Sequence, residues 1–250
     1  MPYTPTNPNR RDRWPQSDCR NHLLATLPAD VYERLSPYLR PVELPLEQIL
    51  YEPHETIHTV YFPNRAMISL VRIMQDGSNI EAGVVGNSGM AGCAVYLGGQ
   101  SSTSRMIVQM AGEAIALDAA ILRTEFKRHT ALHDLLLRYS QALIAQISQT
   151  AACNRFHSTE ERLARWLLQS QDASQSSQLG LTQTFLSNML GIRRASVTLA
   201  AGKLQQAGLI RYSRGTINLL DREGLKSTAC ECYETVRAEY QRLLSAPTSI

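Results

Sequence analysis

The 250-residue chain carries 25 Lys and Arg against 22 Asp and Glu, a net charge of +3, with 44% hydrophobic and 19% charged residues. That composition supports a buried core and excludes wholesale disorder, and a total so near neutral does not by itself diagnose a polyanion as partner. No apolar run reaches the ~18–20 residues that a membrane-spanning helix needs, and no apolar stretch follows the basic N-terminal residues as it would in a secretory signal, so a soluble, cytoplasmic protein without membrane contact is expected.

Residues 1–20, rich in Pro and polar groups, are expected to form a flexible arm. Leu23, Leu24, Leu27, Val31, Leu35 and Leu39 read as short amphipathic helical pieces broken by Pro28 and Pro37. Residues 41–118 have the texture of strands: IHTVYF (57–62), AMISLVRIM (66–74), SNIEAGVV (78–85), RMIVQM (105–110) and EAIALD (113–118) are separated by Pro63-Asn64, Asp76-Gly77, Gly86-Asn87, Gly98-Gly99 and Gly112. Asp76-Gly77 between two such runs is a strong hairpin signal, and several short, closely spaced strands predict a small antiparallel barrel or jelly roll.

From 119 to 155 the period becomes helical. Leu132, Leu136, Tyr139, Leu143, Gln146 and Thr150 alternate steps of four and three, and Leu135, Ile144 and Ile147 widen the apolar face. So broad a face can cover the barrel and meet a second copy of the same helix. Leu132, Leu136, Tyr139, Leu143 and Ile147 are the dimerisation candidates; an ordinary core helix in a monomer remains the alternative. Ser158 and Glu161 form a capping box that starts a new helix, which places a hinge at Asn154–His157 and makes QDASQSSQLG (171–180) a polar connector. The resulting division is an arm (1–20), a barrel (21–128), a long helix (129–155) and a C-terminal domain (156–245).

The five cysteines, Cys19, Cys93, Cys153, Cys230 and Cys232, include no Cys-x-x-Cys pair. A disulfide framework is not expected, and the single residue between Cys230 and Cys232 is poor spacing for a chelate on a helix, so reduced thiols are expected and no metal site or cofactor. Nor is there a phosphate-binding glycine loop, a His-Glu-x-x-His, a nucleophile elbow or a convincing carboxylate pair, which argues against an enzyme. GNSGMAG (86–92) lies between strands, not before a helix.

The C-terminal part carries the chemistry. Between Ala173 and Leu220 there is no acid, but there are Arg193, Arg194, Lys203, Arg211 and Arg214, which makes the stretch a local phosphate attractor. Thr182 can cap a helix through Phe185, Leu186, Met189 and Leu190; Gly191 supplies a tight turn; a second helix begins near Arg193, with Val197, Ala200, Leu204 and Leu209 inward. Helix, glycine turn, helix is a helix-turn-helix, and AGLIRYSRGTINLLD then reads as strand, turn at Arg214-Gly215, strand: a wing. Arg193, Arg194, Ser196, Thr198 and Lys203 would face DNA from the second helix, Thr182 and Thr184 would hold phosphates at the first, and Arg211, Ser213 and Arg214 would touch the backbone from the wing.

A barrel, a long helix, a hinge and a winged helix in this order resemble the Crp/Fnr family of bacterial transcription regulators over about residues 20–240, most strongly in LTQTFLSNMLGIRRASVTLAAGKLQQAGLIRYSRGTINLLD (181–221). The resemblance implies an α+β fold: an N-terminal jelly-roll β-barrel like a cyclic-nucleotide-binding domain, a long dimerisation helix and a C-terminal winged helix-turn-helix. It implies a homodimeric, sequence-specific regulator of double-stranded DNA, with RNA polymerase as a further candidate partner. Arg194 matches the family's basic position at the start of the recognition helix, but Ala195 replaces the acidic residue after it and Leu199 a later arginine, so a different operator is implied. The family's phosphate cassette shows Gly-Glu and later Arg-Ser or Arg-Thr. Here Gly86, Asn87 and Ser88 lack the carboxylate, Ser104 stands where the arginine belongs, and Arg105 is displaced by one position, which in a strand reverses its facing. A degenerate pocket at Gly86, Asn87, Ser88, Ser104 and Arg105, with weak or no cyclic AMP binding, is expected. Cys19 alone cannot hold the family's N-terminal iron–sulfur cluster, and His54, His58 and His129 read as structural rather than haem ligands. The alternative function is a ligand-sensing or protein-interaction module of this fold that does not bind DNA.

Overall fold

The computed structural model describes residues 14–245. The expected arm lies outside the described residues up to 13, and its remainder is a correction: residues 14–20 pack onto the first helices. Cys19 is buried, the Tyr32 hydroxyl donates to the Trp14 carbonyl at 2.9 Å, and Gln16 Nε2 donates to the carbonyl of Leu27 at 2.8 Å. Two short helices follow, α1 (His22–Ala25) and α2 (Ala29–Leu35). Asn21 caps α1 and also donates through Nδ2 to the carbonyls of Pro63 and Gly89, which fixes these helices against the barrel.

The barrel comprises β1 (Arg40–Leu44), β2 (Ile49–Tyr51), β3 (Thr59–Pro63), β4 (Met67–Ile73), β5 (Asn79–Val85), β6 (Arg105–Met110) and β7 (Gly112–Asp118). They form two antiparallel sheets, β1-β7-β3 and β2-β6-β4-β5, facing each other over an apolar core. The expected strand runs all lie here; β1 and β2, short and poor in alternating apolar residues, carry too little pattern to be read. Gly77 turns the β4–β5 hairpin at φ +82°, and Asp76 accepts hydrogen bonds from the amide and hydroxyl of Ser78.

AMISLVRIM is apolar without alternation because β4 is covered on both faces. Ile68 and Leu70 point into the barrel, whereas Met67 and Val71 belong to a second core shared with the C-terminal helices. Burying such a side chain contributes roughly 1.5–3 kcal/mol, so β4 serves two cores at once and holds the domains together.

After α3 (Ala119–Phe126) comes α4 (Ala131–Phe156). Its Leu132, Leu136, Tyr139 and Leu143 are buried in the barrel core and Ile147 packs on that core's edge. This corrects the dimerisation set for Leu132, Leu136, Tyr139 and Leu143, because a side chain fully enclosed in the chain's own core has no surface left for a partner; Ile147 is half-buried. Leu137 and Ile144, 43% and 62% exposed, stand on the opposite face with Gln141, Ser148 and Ala151.

The C-terminal part runs α5 (Thr159–Ser174), β8 (Gln178–Gly180), α6 (Gln183–Leu190), α7 (Arg194–Gln206), β9 (Ile210–Ser213), β10 (Thr216–Leu219), α8 (Arg222–Thr228) and α9 (Cys232–Leu244). The capping box at Ser158 and Glu161 is formed. The stretch 171–180 is more than a connector: α5 continues through its first residues, and β8 joins the wing in the sheet order β8-β10-β9. Helix α9 starts against the winged helix, where Tyr233 joins its core, and returns along α4, where Tyr240 and Leu244 reach the barrel core.

Strand β5 adds polar contacts with the helices packed on it. On β5, Glu81 accepts a 2.9 Å hydrogen bond from Trp166 Nε1 of α5, the Val84 amide donates to Gln146 Oε1 of α4 at 2.7 Å, and Ile80 meets the turn after α6. Glu81 is buried and also accepts from Ser69 Oγ at 2.6 Å; burial pushes its carboxyl up to about 7 against the pull of these hydrogen bonds.

Candidate nucleic-acid interface

The helix pair forms for local reasons. Thr182 Oγ1 accepts from the Phe185 amide at 3.1 Å and starts α6. Gly191 ends it at φ +61°, and a Cβ there would come within 2.6 Å of Ile80 Cδ1, so both backbone hand and lack of space require glycine. Leu186, Met189, Leu190, Val197, Ala200, Ala201 and Leu204 bury the inner faces of α6 and α7. From α5, the buried Arg162 donates to the Leu190 carbonyl, which satisfies the C-terminal end of α6. Ser213 and Thr216 pair across Arg214 and Gly215, at φ +49° and +77°, a two-residue turn with both residues left-handed. Tyr212 supports the wing through its hydroxyl, which donates to the Leu181 carbonyl at 3.1 Å.

These elements present the expected side chains on one face. Arg193, Arg194, Thr198, Arg211, Ser213, Arg214, Thr182 and Thr184 are exposed or half-buried, and Ser196 is half-buried. Thr182, Thr184, Arg194, Ser213 and Arg214, with Gln183, Tyr212 and Gly215, line a concavity of about 410 Å³ between the two helices and the wing. Arg194 Nε donates to Gln183 Oε1 at 3.3 Å, and the Thr198 hydroxyl donates back to the Arg194 carbonyl at 3.1 Å. Among the described residues no carboxylate pairs with Arg193, Arg194, Arg211 or Arg214. Lys203 differs: its Nζ lies 3.1 Å from Glu160 of α5, so its charge is answered within the chain. Leu199, which stands at the family's later arginine position and was not among the expected DNA-facing side chains, is 71% exposed on α7.

The expected ligand pocket is not assembled. Gly86, Asn87 and Ser88 face α1 and α5: the His22 amide donates to the Asn87 carbonyl at 2.8 Å, Ser88 Oγ is 3.2 Å from His22 Nδ1, and a Cβ on Gly86 would lie 2.6 Å from that of Ala173. They line a cleft of about 1020 Å³ with residues of α5, α8 and α9, and neither Ser104 nor Arg105 borders it. Arg105 is instead held by Glu52 through two hydrogen bonds of 3.0 and 2.9 Å.

Residues 161–228 match the Crp-like helix-turn-helix domain. This segment is a Crp-like helix-turn-helix domain, and the chain has the fold of the Crp/Fnr regulators. Similar solved structures include FixK2 from Bradyrhizobium japonicum, at 13% identity over 77% of this chain and 98% of that one with a TM-score of 0.63. A transcriptional regulator of the CRP/FNR family from Thermus thermophilus, TTHA1359, is 19% identical over 76% and 98% with a TM-score of 0.57. The c-di-GMP responsive global regulator CLP of Xanthomonas campestris is 18% identical over 78% and 100%, also with a TM-score of 0.57. No curated protein matches the sequence. Within this Crp-like domain, α6 and α7 are the helix-turn-helix and β9–β10 the wing.

The structure also joins residues that the sequence keeps apart. Cys153 and His157 at the end of α4 meet Cys230 and Cys232 at the start of α9. This corrects the reading of the cysteines as scattered, without metal-ligand spacing. The signal available was Cys153 and His157, four positions apart on a helix and so on one face.

Proposed function

We propose that the protein is a sequence-specific, double-stranded-DNA-binding transcriptional regulator that reads the major groove with α7. The observation that carries this is the concavity formed by Thr182, Thr184, Arg194, Ser213 and Arg214, flanked by Arg193 and Arg211 and free of acids among the described residues. A phosphate backbone fits such a hollow, with hydroxyls and guanidinium groups on its walls. Arg193 and Arg194 at the start of α7 supply the paired donors that recognise guanine, and Leu199 offers an apolar contact for a thymine methyl. Lys203, paired with Glu160, contributes less than its neighbours.

The protein acts as a homodimer through the outer face of α4. Leu137, Ile144 and Ala151 recur every seven residues there, with Gln141 and Ser148 between them, the spacing of a two-helix seam. Two subunits would then place their α7 helices about 34 Å apart on a near-palindromic site. Cyclic AMP is not its effector: Ser104 stands where the phosphate-binding arginine belongs, Arg105 one position on is engaged by Glu52, and Gly86–Ser88 pack on α1 and α5. RNA polymerase fits as a further partner of a regulator of this kind.

Selection of bound sequences from a random duplex library tests the reading. A two-fold symmetric motif is expected. Binding without sequence preference that vanishes at physiological salt would reject it.

A further inference from the structure

Four side chains converge where the long helix ends and the chain enters its DNA-reading half. Cys153 and the C-terminal capping residue His157 lie at the end of α4; Cys230 precedes α9 and Cys232 opens it. Cys153 Sγ is 3.5 Å from Cys230 Sγ, Cys232 Sγ is 3.5 Å from His157 Nδ1, and the four ligand atoms all lie within 4.8 Å of one another. Zinc bound at about 2.3 Å by sulfur and 2.0–2.1 Å by nitrogen needs tetrahedral neighbours roughly 3.5–3.8 Å apart. The observed separations reach that geometry with shifts of tenths of an ångström up to about one.

The surroundings are those of a metal site rather than of an apolar core. The three sulfurs form a buried cluster of their own, with no aliphatic side chain in it. His157 Nε2 lies 3.1 Å from Glu231 Oε2, so the carboxylate holds the proton there and leaves the Nδ1 lone pair facing the sulfurs, the arrangement that orients zinc-ligating histidines. Gln149 Nε2 donates to Cys232 Sγ at 3.1 Å. Buried Arg165 of α5 reaches Thr150, one turn before Cys153, at 3.5 Å, and among the described residues no carboxylate forms a salt bridge with it, Glu81 acting on it only at longer range.

We infer that Cys153, His157, Cys230 and Cys232 bind one zinc ion. On binding, the three thiols release their protons to solvent, so the bound set of Zn²⁺, three thiolates and a neutral imidazole carries one negative charge, and Arg165 answers it. No electron is transferred. The ion ties the end of α4 to the α8–α9 junction and thereby fixes the hinge between the long helix and the winged helix. This goes beyond the proposed DNA binding and is read out by the metal itself.

The test uses the full chain, purified under reducing conditions from zinc-supplemented cells. Elemental analysis is expected to give about one zinc per chain, and cobalt(II) added to the metal-free chain to give the intense visible absorption of tetrahedral thiolate-bound cobalt. Cys153→Ser, Cys230→Ser and Cys232→Ser should abolish that absorption. Glu231→Gln keeps every ligand on an exposed side chain and should weaken zinc roughly 10-fold in competition with a chelating indicator, which keeps the test decisive even if a cysteine variant fails to fold. A folded, fully reduced chain without zinc and without the cobalt spectrum overturns the inference, as does an unaltered spectrum in Cys230→Ser or unchanged zinc affinity in Glu231→Gln.

Discussion

In the winged helix, Arg193, Arg194, Arg211 and Arg214 reach the surface with no carboxylate on any of them among the described residues, whereas in the barrel Arg105 lies in the fork of Glu52. Arg105 is answered by a carboxylate of its own domain, and the four guanidinium groups of the winged helix are not. A guanidinium that already has a bidentate carboxylate must lose it before it can take up a phosphate, and the exchange gains little. An unpaired one gives up only water and counterions. The contrast sets guanidinium groups that face solvent on the winged helix against one in the barrel that is held by its own chain.

The strongest way to break this contrast is to remove the exposed pair. R193A/R194A should lower affinity for the selected duplex about 100-fold or more and flatten sequence preference, measured by fluorescence anisotropy at fixed salt. Retained specificity would show that another surface reads DNA.

The joint between the two regions gives the next effect. Folded Glu81 holds its proton up to about pH 7, whereas its ordinary value is 4.5. The folded state therefore binds the extra proton between those limits, so stability falls as pH rises from about 4.5 to about 7 and is level above, by up to about 3 kcal/mol. E81Q should remove this slope in urea denaturation followed at several pH values; an unchanged slope would place the titration elsewhere.

Charging the outer face of α4 comes third. L137E and I144E should weaken self-association about 10-fold or more while leaving the fold intact, because these side chains lie outside the chain's own core; light scattering during chromatography checks this. By contrast L136E, on the inner face, should unfold the barrel. Smaller again is R214A at the wing: a loss of about 3-fold, similar for all sequences, with a salt slope reduced by about 1. The barrel side of the contrast predicts no effect at all: calorimetry with cyclic AMP should show no low-micromolar binding, and measured affinity in that range would contradict the Arg105–Glu52 reading.

Where function depends on neighbours in sequence, the residues announce it. Thr182, Gly191, Arg194 and Arg214-Gly215 each act within a few positions of themselves, as caps, turns and the opening of a helix, so the local frame of the candidate DNA-reading surface was legible. The pairing of Lys203 was not legible, because its partner, Glu160, comes from another helix. The α4 residues were misjudged for a related reason: a wide apolar stripe states how much is covered and not by what, and only the barrel's position decides that Leu136 faces inward and Leu137 outward. The strand β4 was read from its mainly apolar run, but that run does not say which domain covers its second face.

The amino-acid order alone settled the succession of barrel, long helix and winged helix, because hydrophobic period, capping residues and turn glycines are interactions of short reach. Tertiary structure alone decided that Arg105 is spent on Glu52, that α9 folds back along α4, and that Cys153 and His157 meet Cys230 and Cys232 across more than seventy positions. Such encounters depend on how rigid elements pack in space, and no local propensity encodes the distance between two surfaces brought together by folding.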